Sequence, residues 1–219
     1  GDVPAVYLQV NRPADSAKVA QDWVECTGVT EENTEIRING APVEVSGTVF
    51  SAKVPLPAVG QHKLVIDAFN ERRGPRQAVV TVERVESLDA EIEAYRKAVD
   101  PDLGWESLGR DPESYKGKKV ALHGRIISFN TTLGVSAFQL LVDEGCPPEA
   151  KCVLKADFKG ETVAGKDSWV TVLGEVKGKF TVETSDKKKF DVPALEAAYV
   201  IKDEEAAPKG KKKKKKKGR

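Results

Sequence analysis

Apolar side chains recur at every second position in short runs over the first part of the chain: Val6, Leu8 and Val10; Val24 and Cys26; Ile36 and Ile38; Val43 and Val45; Val54 and Leu56; Leu64, Ile66 and Ala68; then Val79 to Val82. A strand turns successive side chains to opposite faces, so this period of two predicts half-buried β-strands. Turn residues at roughly eight- to twelve-residue spacing make the expected architecture an antiparallel sandwich. Asn39 and Gly40 sit where a type I′ hairpin turn needs residues that accept positive φ. After Val85 the period lengthens: Leu88, Ile92, Tyr95 and Val99 fall on one face of a helix over 87–99. Ser87 is placed to cap it, acidic residues occupy its first turn, and Asp100-Pro101 stops it. Trp105, Leu108 and Tyr115 are expected to pack against a second domain.

Period two then returns. "YKGKKVALHGRI" (115–126) is echoed by "GKDSWVTVLGEV" (165–176), each a turn feeding a strand that ends at a glycine. Strands are predicted over 120–128, 138–143, 152–158, 169–176, 180–184 and 195–201, a set that suits a small five-stranded Greek-key barrel. The alternation assigns Phe129, Phe138, Phe158, Trp169, Phe180, Phe190 and Tyr199 mostly to the barrel core. Base stacking is the alternative role, above all for Phe129 and Phe180.

A chain of 219 residues accommodates two such domains. The reading is mostly β: a sandwich over 3–85, an acidic helical linker over 86–115, an oligonucleotide/oligosaccharide-binding-like (OB-like) barrel over 116–203, and a Lys-rich tail over 204–219. The tail is expected to be disordered, because its composition offers no apolar surface to bury. The chain holds no Met, opens on Gly1 and has no apolar run long enough to span a bilayer. A removed signal peptide or a trimmed expression product would each explain that beginning.

The formal net charge of +1 conceals segregation. Residues 86–115 carry nine acidic against three basic groups, and 204–219 carry nine basic against two acidic. Positive charge able to recruit an anionic partner is therefore concentrated in Lys209, Lys211, Lys212, Lys213, Lys214, Lys215, Lys216, Lys217 and Arg219. Such a segment binds nucleic acid, acidic polysaccharide, lipid headgroups or acidic proteins by counterion release and does not choose among them. Lys187, Lys188 and Lys189, expected at a hairpin tip, with Lys177 and Lys179, form either a small anion-binding patch or a solvated loop.

Two resemblances rest on particular motifs. The run from "VTEENTEIRINGAPVEV" through "LVIDAFN" to "VVTVER" is similar to bacterial immunoglobulin-like domains, over roughly 3–85. In those domains a strand ending in Asn-Gly precedes a Phe-bearing strand (Phe50) and a Gly-containing turn (Gly60). That resemblance implies a spacer or adhesion module without an active site. "DPESYKGKKVALHGRI" with "GKDSWVTVLGEVKG" resembles the OB-fold domains grouped with the tRNA-anticodon-binding-like families, over roughly 103–202. Ligands of that barrel class include nucleic acids, saccharides and proteins, so the likeness implies a fold more than a ligand.

Chemistry is sparse. Cys146 and Cys152 bracket "GCPPEAKC", a loop short enough for a local disulfide, which would favour an oxidising compartment; a pair of reduced thiols is the alternative. Cys26 falls at an inward position and reads as a buried thiol. His62 and His123 lie in separate strand-like segments, so no metal site and no cofactor are expected. With no nucleophile beside a base, no paired carboxylates and no phosphate loop, no catalytic residue is assigned and no small-molecule substrate is expected. The expectation is a non-enzymatic bacterial binding or scaffold protein, periplasmic, outer-surface or secreted. Its tail would hold an anionic polymer, membrane or acidic partner, and a protein partner would meet the sandwich edge or the barrel. A single-stranded nucleic-acid-binding barrel is the competing reading.

Overall fold

The computed structural model describes residues 2–204, so the tail lysines and Arg219 lie outside the described residues. Nine strands build the first unit. β1 (Leu8–Arg12), β3 (Trp23–Thr30), β7 (Val49–Pro55) and β6 (Val45–Ser46) form one sheet in that order. β2 (Ala17–Val19), β9 (Arg76–Arg84), β8 (Gly60–Phe69), β4 (Glu35–Ile38) and β5 (Ala41–Val43) form the other. Cys26, Ile36, Phe50, Leu64, Ile66 and Val82 are enclosed between the two sheets, the inward half of each alternation. Asn39 and Gly40 take φ of 50° and 81° in the β4–β5 turn, and Asn39 Oδ1 accepts the Val65 amide at 2.9 Å. Gly28 is required by packing: a Cβ there would lie 2.3 Å from Phe50 Cζ and from the Gln9 carbonyl oxygen.

α1 (Leu88–Ala98) is capped by Ser87 Oγ, which accepts the Ala90 amide at 3.2 Å. None of its residues is fully buried. Tyr95 meets Tyr199 edge to face at 5.7 Å and Lys18 of the sandwich reaches Glu91 at 3.3 Å, so the helix braces both units. α2 (Trp105–Leu108) sends Leu108 fully into the second core, and Trp105 packs on that core from its edge. The short 3₁₀ turn Pro112–Tyr115 leads into the barrel.

The barrel is closed in the order β10 (Lys119–Thr132), β11 (Val135–Val142), β12 (Val153–Phe158), β14 (Lys189–Lys202), β13 (Trp169–Glu183). Its one parallel contact joins β12 to β14. This is a closed five-stranded barrel, as the strand set led one to expect. The segments expected as separate strands over 169–176 and 180–184 are one strand, because a bulge at Gly178, with φ of 99°, lets β13 bend and continue. β14 accordingly begins at Lys189, six residues before the expected start, and the two form a long arm beyond the barrel wall. Cys146 and Cys152 are disulfide-bonded with Cα atoms 5.9 Å apart. No helix of the described residues is long and apolar enough to cross a membrane.

The two units touch at a defined corner. Gly134, at the β10–β11 hairpin tip, lies so close to Ala14 that a Cβ would come within 2.8 Å of its backbone. Beside it Arg12 forks onto Glu161, with Nη2 2.5 Å from Oε2. A small cavity of about 240 Å³ between Arg12, Phe129, Ser136 and Thr162 marks the seam.

Candidate functional site

The outer face of β10, β13 and β14 carries the most organised group of polar side chains. Register places His123 opposite Thr171, and Arg125 opposite Trp169, so these four share one face of the β10/β13 pair. Asp143, one residue past β11, accepts from His123 Nδ1 at 2.7 Å; Asp203, one residue past β14, accepts from Nε2 at 2.8 Å. Backbone bonds fix both carboxylates: the Asp143 amide donates to the His123 carbonyl at 3.2 Å and the Asp203 amide to the Trp169 carbonyl at 2.9 Å.

A carboxylate only accepts, so the ring satisfies both carboxylates at once only in its doubly protonated, imidazolium form. The hydrogen bond to Asp203, then that to Asp143, raises its pKa above the ordinary 6.5 against the opposing effect of partial burial. With both nitrogens donating, the ring is held in one orientation by carboxylates from the ends of two strands. The Trp169 indole stacks on this imidazolium at 5.8 Å and 19° and yet is 45% exposed. It lines an open cleft of about 490 Å³ with Lys166, Asp167, Ser168, Lys202, Asp203 and Glu204. Arg125 holds Asp167 at 3.1 Å on the same side.

The β13–β14 arm is a second surface. Phe180 pairs with Val192 and Val182 with Phe190, which aligns all four on one face, and both phenyl rings are exposed. Lys155 of β12 places its ammonium 4.6 Å from the Phe180 centroid while pairing with Asp157 at 2.9 Å. The root of the arm is fixed by Glu113, which accepts the Lys179 amide at 2.9 Å and pairs with Lys116 at 2.7 Å. Those bonds, that with Lys116 first, hold its carboxyl below the usual range.

The structure spreads the five barrel lysines along this arm. Lys177 sits between Glu175 and Glu196 at 3.2 and 3.4 Å, and Lys179 reaches Asp191 at 3.8 Å, all near the root. Lys187, Lys188 and Lys189 are at the far tip, where Lys188 reaches Asp186 at 3.8 Å. Among the described residues, Lys187 and Lys189 alone of the five lack an acidic partner. The aromatic assignment divides likewise. Phe138, Phe158 and Tyr199 are buried and Phe129 is half-buried, but Trp169, Phe180 and Phe190 point outward, which corrects the core reading for these three. Alternation places a residue on a face; it does not say whether the outer face is apolar.

Cys26 is fully buried, and burial pushes its thiol up to about 11, far from thiolate reactivity. A wider hollow of about 910 Å³ at one end of the sandwich runs between Glu31, Glu35, Phe69 and Arg72, but Arg73 is already paired with Glu31 at 3.1 Å. The free sandwich edges are short: β2 and β5 have three residues each, β6 two, and β5 contains Pro42. β1, with five residues, is interrupted by a bulge between Val10 and Arg12.

No protein-family model matches the chain, and no curated protein does.

Proposed function

We infer that the chain is a non-enzymatic binding or scaffold protein of a bacterial cell envelope or secreted space, tethered by its lysine tail to an anionic polymer. The observation that carries this reading is the separation of charge. Residues 1–203 hold 26 basic and 32 acidic groups, a balance of −6, while 204–219 stand at +7. Three of the five barrel lysines singled out by sequence are matched by carboxylates. An anionic polymer is then drawn to the tail, while the net charge of the body adds no attraction of its own, which supports a tether at one end. The Cys146–Cys152 disulfide favours an oxidising location. The first unit, like the immunoglobulin-like modules it resembles, serves as the spacer, and the barrel carries the specific contact.

A second reading is supported by the arm. Phe180 under Lys155, with Phe190 beside it and Lys187 and Lys189 at the tip, is the combination of ring and cation that holds single-stranded nucleic acid. One experiment separates the two. The full-length protein and a full-length variant carrying Lys211→Gln through Lys217→Gln are titrated with oligothymidylate and with an acidic polysaccharide at low and near-physiological salt. The tether reading expects the variant to lose binding to both polymers by about a hundredfold or more at low salt. Retention of salt-resistant oligothymidylate binding, abolished by Phe180→Ala, would establish the nucleic-acid reading instead.

A further inference from the structure

The Trp169 cleft is built more firmly than a chance surface hollow. An exposed indole ordinarily has rotamer freedom to lose when a ligand stacks on it. Trp169 lacks that freedom, because its ring lies on the His123 imidazolium, which Asp143 and Asp203 grip from the ends of two other strands. One face of the indole is braced and the residue still offers 45% of its surface to solvent. The surrounding rim mixes hydrogen-bonding senses at close quarters. Lys166 and Lys202 have no acidic partner among the described residues and can donate. Asp167, Asp203 and Glu204 accept. A cleft of about 490 Å³ lies within the size range of ligand sites.

We propose that this cleft is a saccharide subsite, in which Trp169 takes the C–H face of a pyranose ring of an acidic polysaccharide and the rim of Lys166, Asp167, Lys202 and Glu204 takes its hydroxyls. A sugar ring presents an apolar face of polarised C–H bonds that packs on an indole. Its edge carries several hydroxyls, each both donor and acceptor, which the mixed rim satisfies. A nucleobase would stack on the same ring, but its edge offers the mixed rim no hydroxyls, the groups that both donate and accept. The site lies outside β11 and β12, on the β10, β13 and β14 wall, and Glu204 at its lip is where the cationic tail begins. A polymer drawn to the lysines is thereby concentrated at the platform, so weak ring stacking and weak ion attraction reinforce each other in one chain. This inference rests on the tether reading for its choice of an acidic polymer. The platform itself does not depend on that reading.

The test is a titration of the full-length protein with a short oligogalacturonate and with its neutral methyl ester, read by calorimetry and by the indole N–H resonances of Trp23, Trp105 and Trp169. Both sugars should shift the Trp169 resonance selectively, and Trp169→Ala should weaken both by about tenfold, while Trp169→Phe recovers affinity to within about threefold. The Lys211→Gln through Lys217→Gln variant should lose affinity for the acidic sugar alone, with the neutral ester still shifting Trp169. If that variant binds the acidic sugar as the parent does, the tether reading falls and the platform stands. If the Trp169 resonance stays in place in the parent, or Trp169→Ala binds both sugars unchanged, the platform is overturned whatever the tail does. A Trp169 shift with oligothymidylate and none with either sugar also overturns it, in favour of a nucleobase site. The resonance readout in the parent decides the matter even if a Trp169 variant fails to fold.

Discussion

Phe50 of the sandwich is 1% exposed over a glycine that leaves room for nothing else, whereas Trp169, Phe180 and Phe190 of the barrel stand outside at more than 40% exposure. Tyr7 and Phe69 of the sandwich are also exposed, yet neither is backed by a second ring or a cation among the described residues. Trp169 has its imidazolium and Phe180 its ammonium. A ring sealed in a core contributes only to stability; a ring braced from one side and open on the other keeps a surface ready for a ligand. The two units, alike in being β-structures with one apolar core each, divide in where they set their large rings, and the proposed binding falls to the barrel.

That division can be broken from the sandwich side first. Phe50→Ala is expected to destabilise the sandwich by about 4 kcal/mol while the barrel disulfide and the Trp169 resonance stay unchanged, as chemical denaturation with tryptophan-resolved NMR would read. A collapse of both units together would mean that they are one folding unit. Gly124→Ala makes the reciprocal attack. A Cβ there would sit 2.2 Å from the Leu141 carbonyl oxygen in the adjacent strand, so the barrel should lose about 3 kcal/mol with Trp23 in the sandwich unaffected.

A finer test concerns His123. Its folded pKa is raised above 6.5, so the stability it confers is fully present below about pH 6.5 and is lost as pH rises through the folded value. Measured upward from about pH 5, the barrel's midpoint should decline with pH in the parent. In His123→Gln that decline should be absent, and the Trp169 resonance should broaden because its backing is lost. An unchanged pH profile in the variant would remove His123 from the account. The smallest effect is expected at the seam. Arg12 and Glu161 are each more than 40% exposed, so Arg12→Ala should cost no more than about 0.5 kcal/mol and leave the ligand measurements unaltered.

Much of the fold was legible because local rules and global packing agree in it. Ile36, Ile38, Leu64 and Ile66 declare their inward face, Asn39-Gly40 declares its turn, and Ser87 declares the start of the helix. Of the two readings left open for the short Cys146–Cys152 loop, the disulfide is the one formed. Legibility stopped where a residue's part depends on the far side of a ring of strands. His123 reads as one more strand residue until the fold brings Asp143 and Asp203 to its two nitrogens from separations of 20 and 80 positions. Trp169 and Phe190 read as core because an aromatic in an alternating strand usually faces inward. The arm was hidden by Gly178, which looks like a strand end and is a bend within one.

The parallel contact of β12 with β14 carries a consequence for the order in which the chain assembles. It joins Lys155 to Ala194, and His123 finds its second carboxylate only when Asp203 arrives. The pairings between sandwich strands all fall before Val85, so that unit is complete in sequence long before the barrel can close. Distant pairings wait on loop closure, and a growing chain supplies its segments from the N-terminus. A nascent chain that has emerged only as far as β13 therefore consists of a finished sandwich attached to an unclosed sheet, and β14, the last of the described strands, is the one that both seals the ring and brings Asp203 to His123.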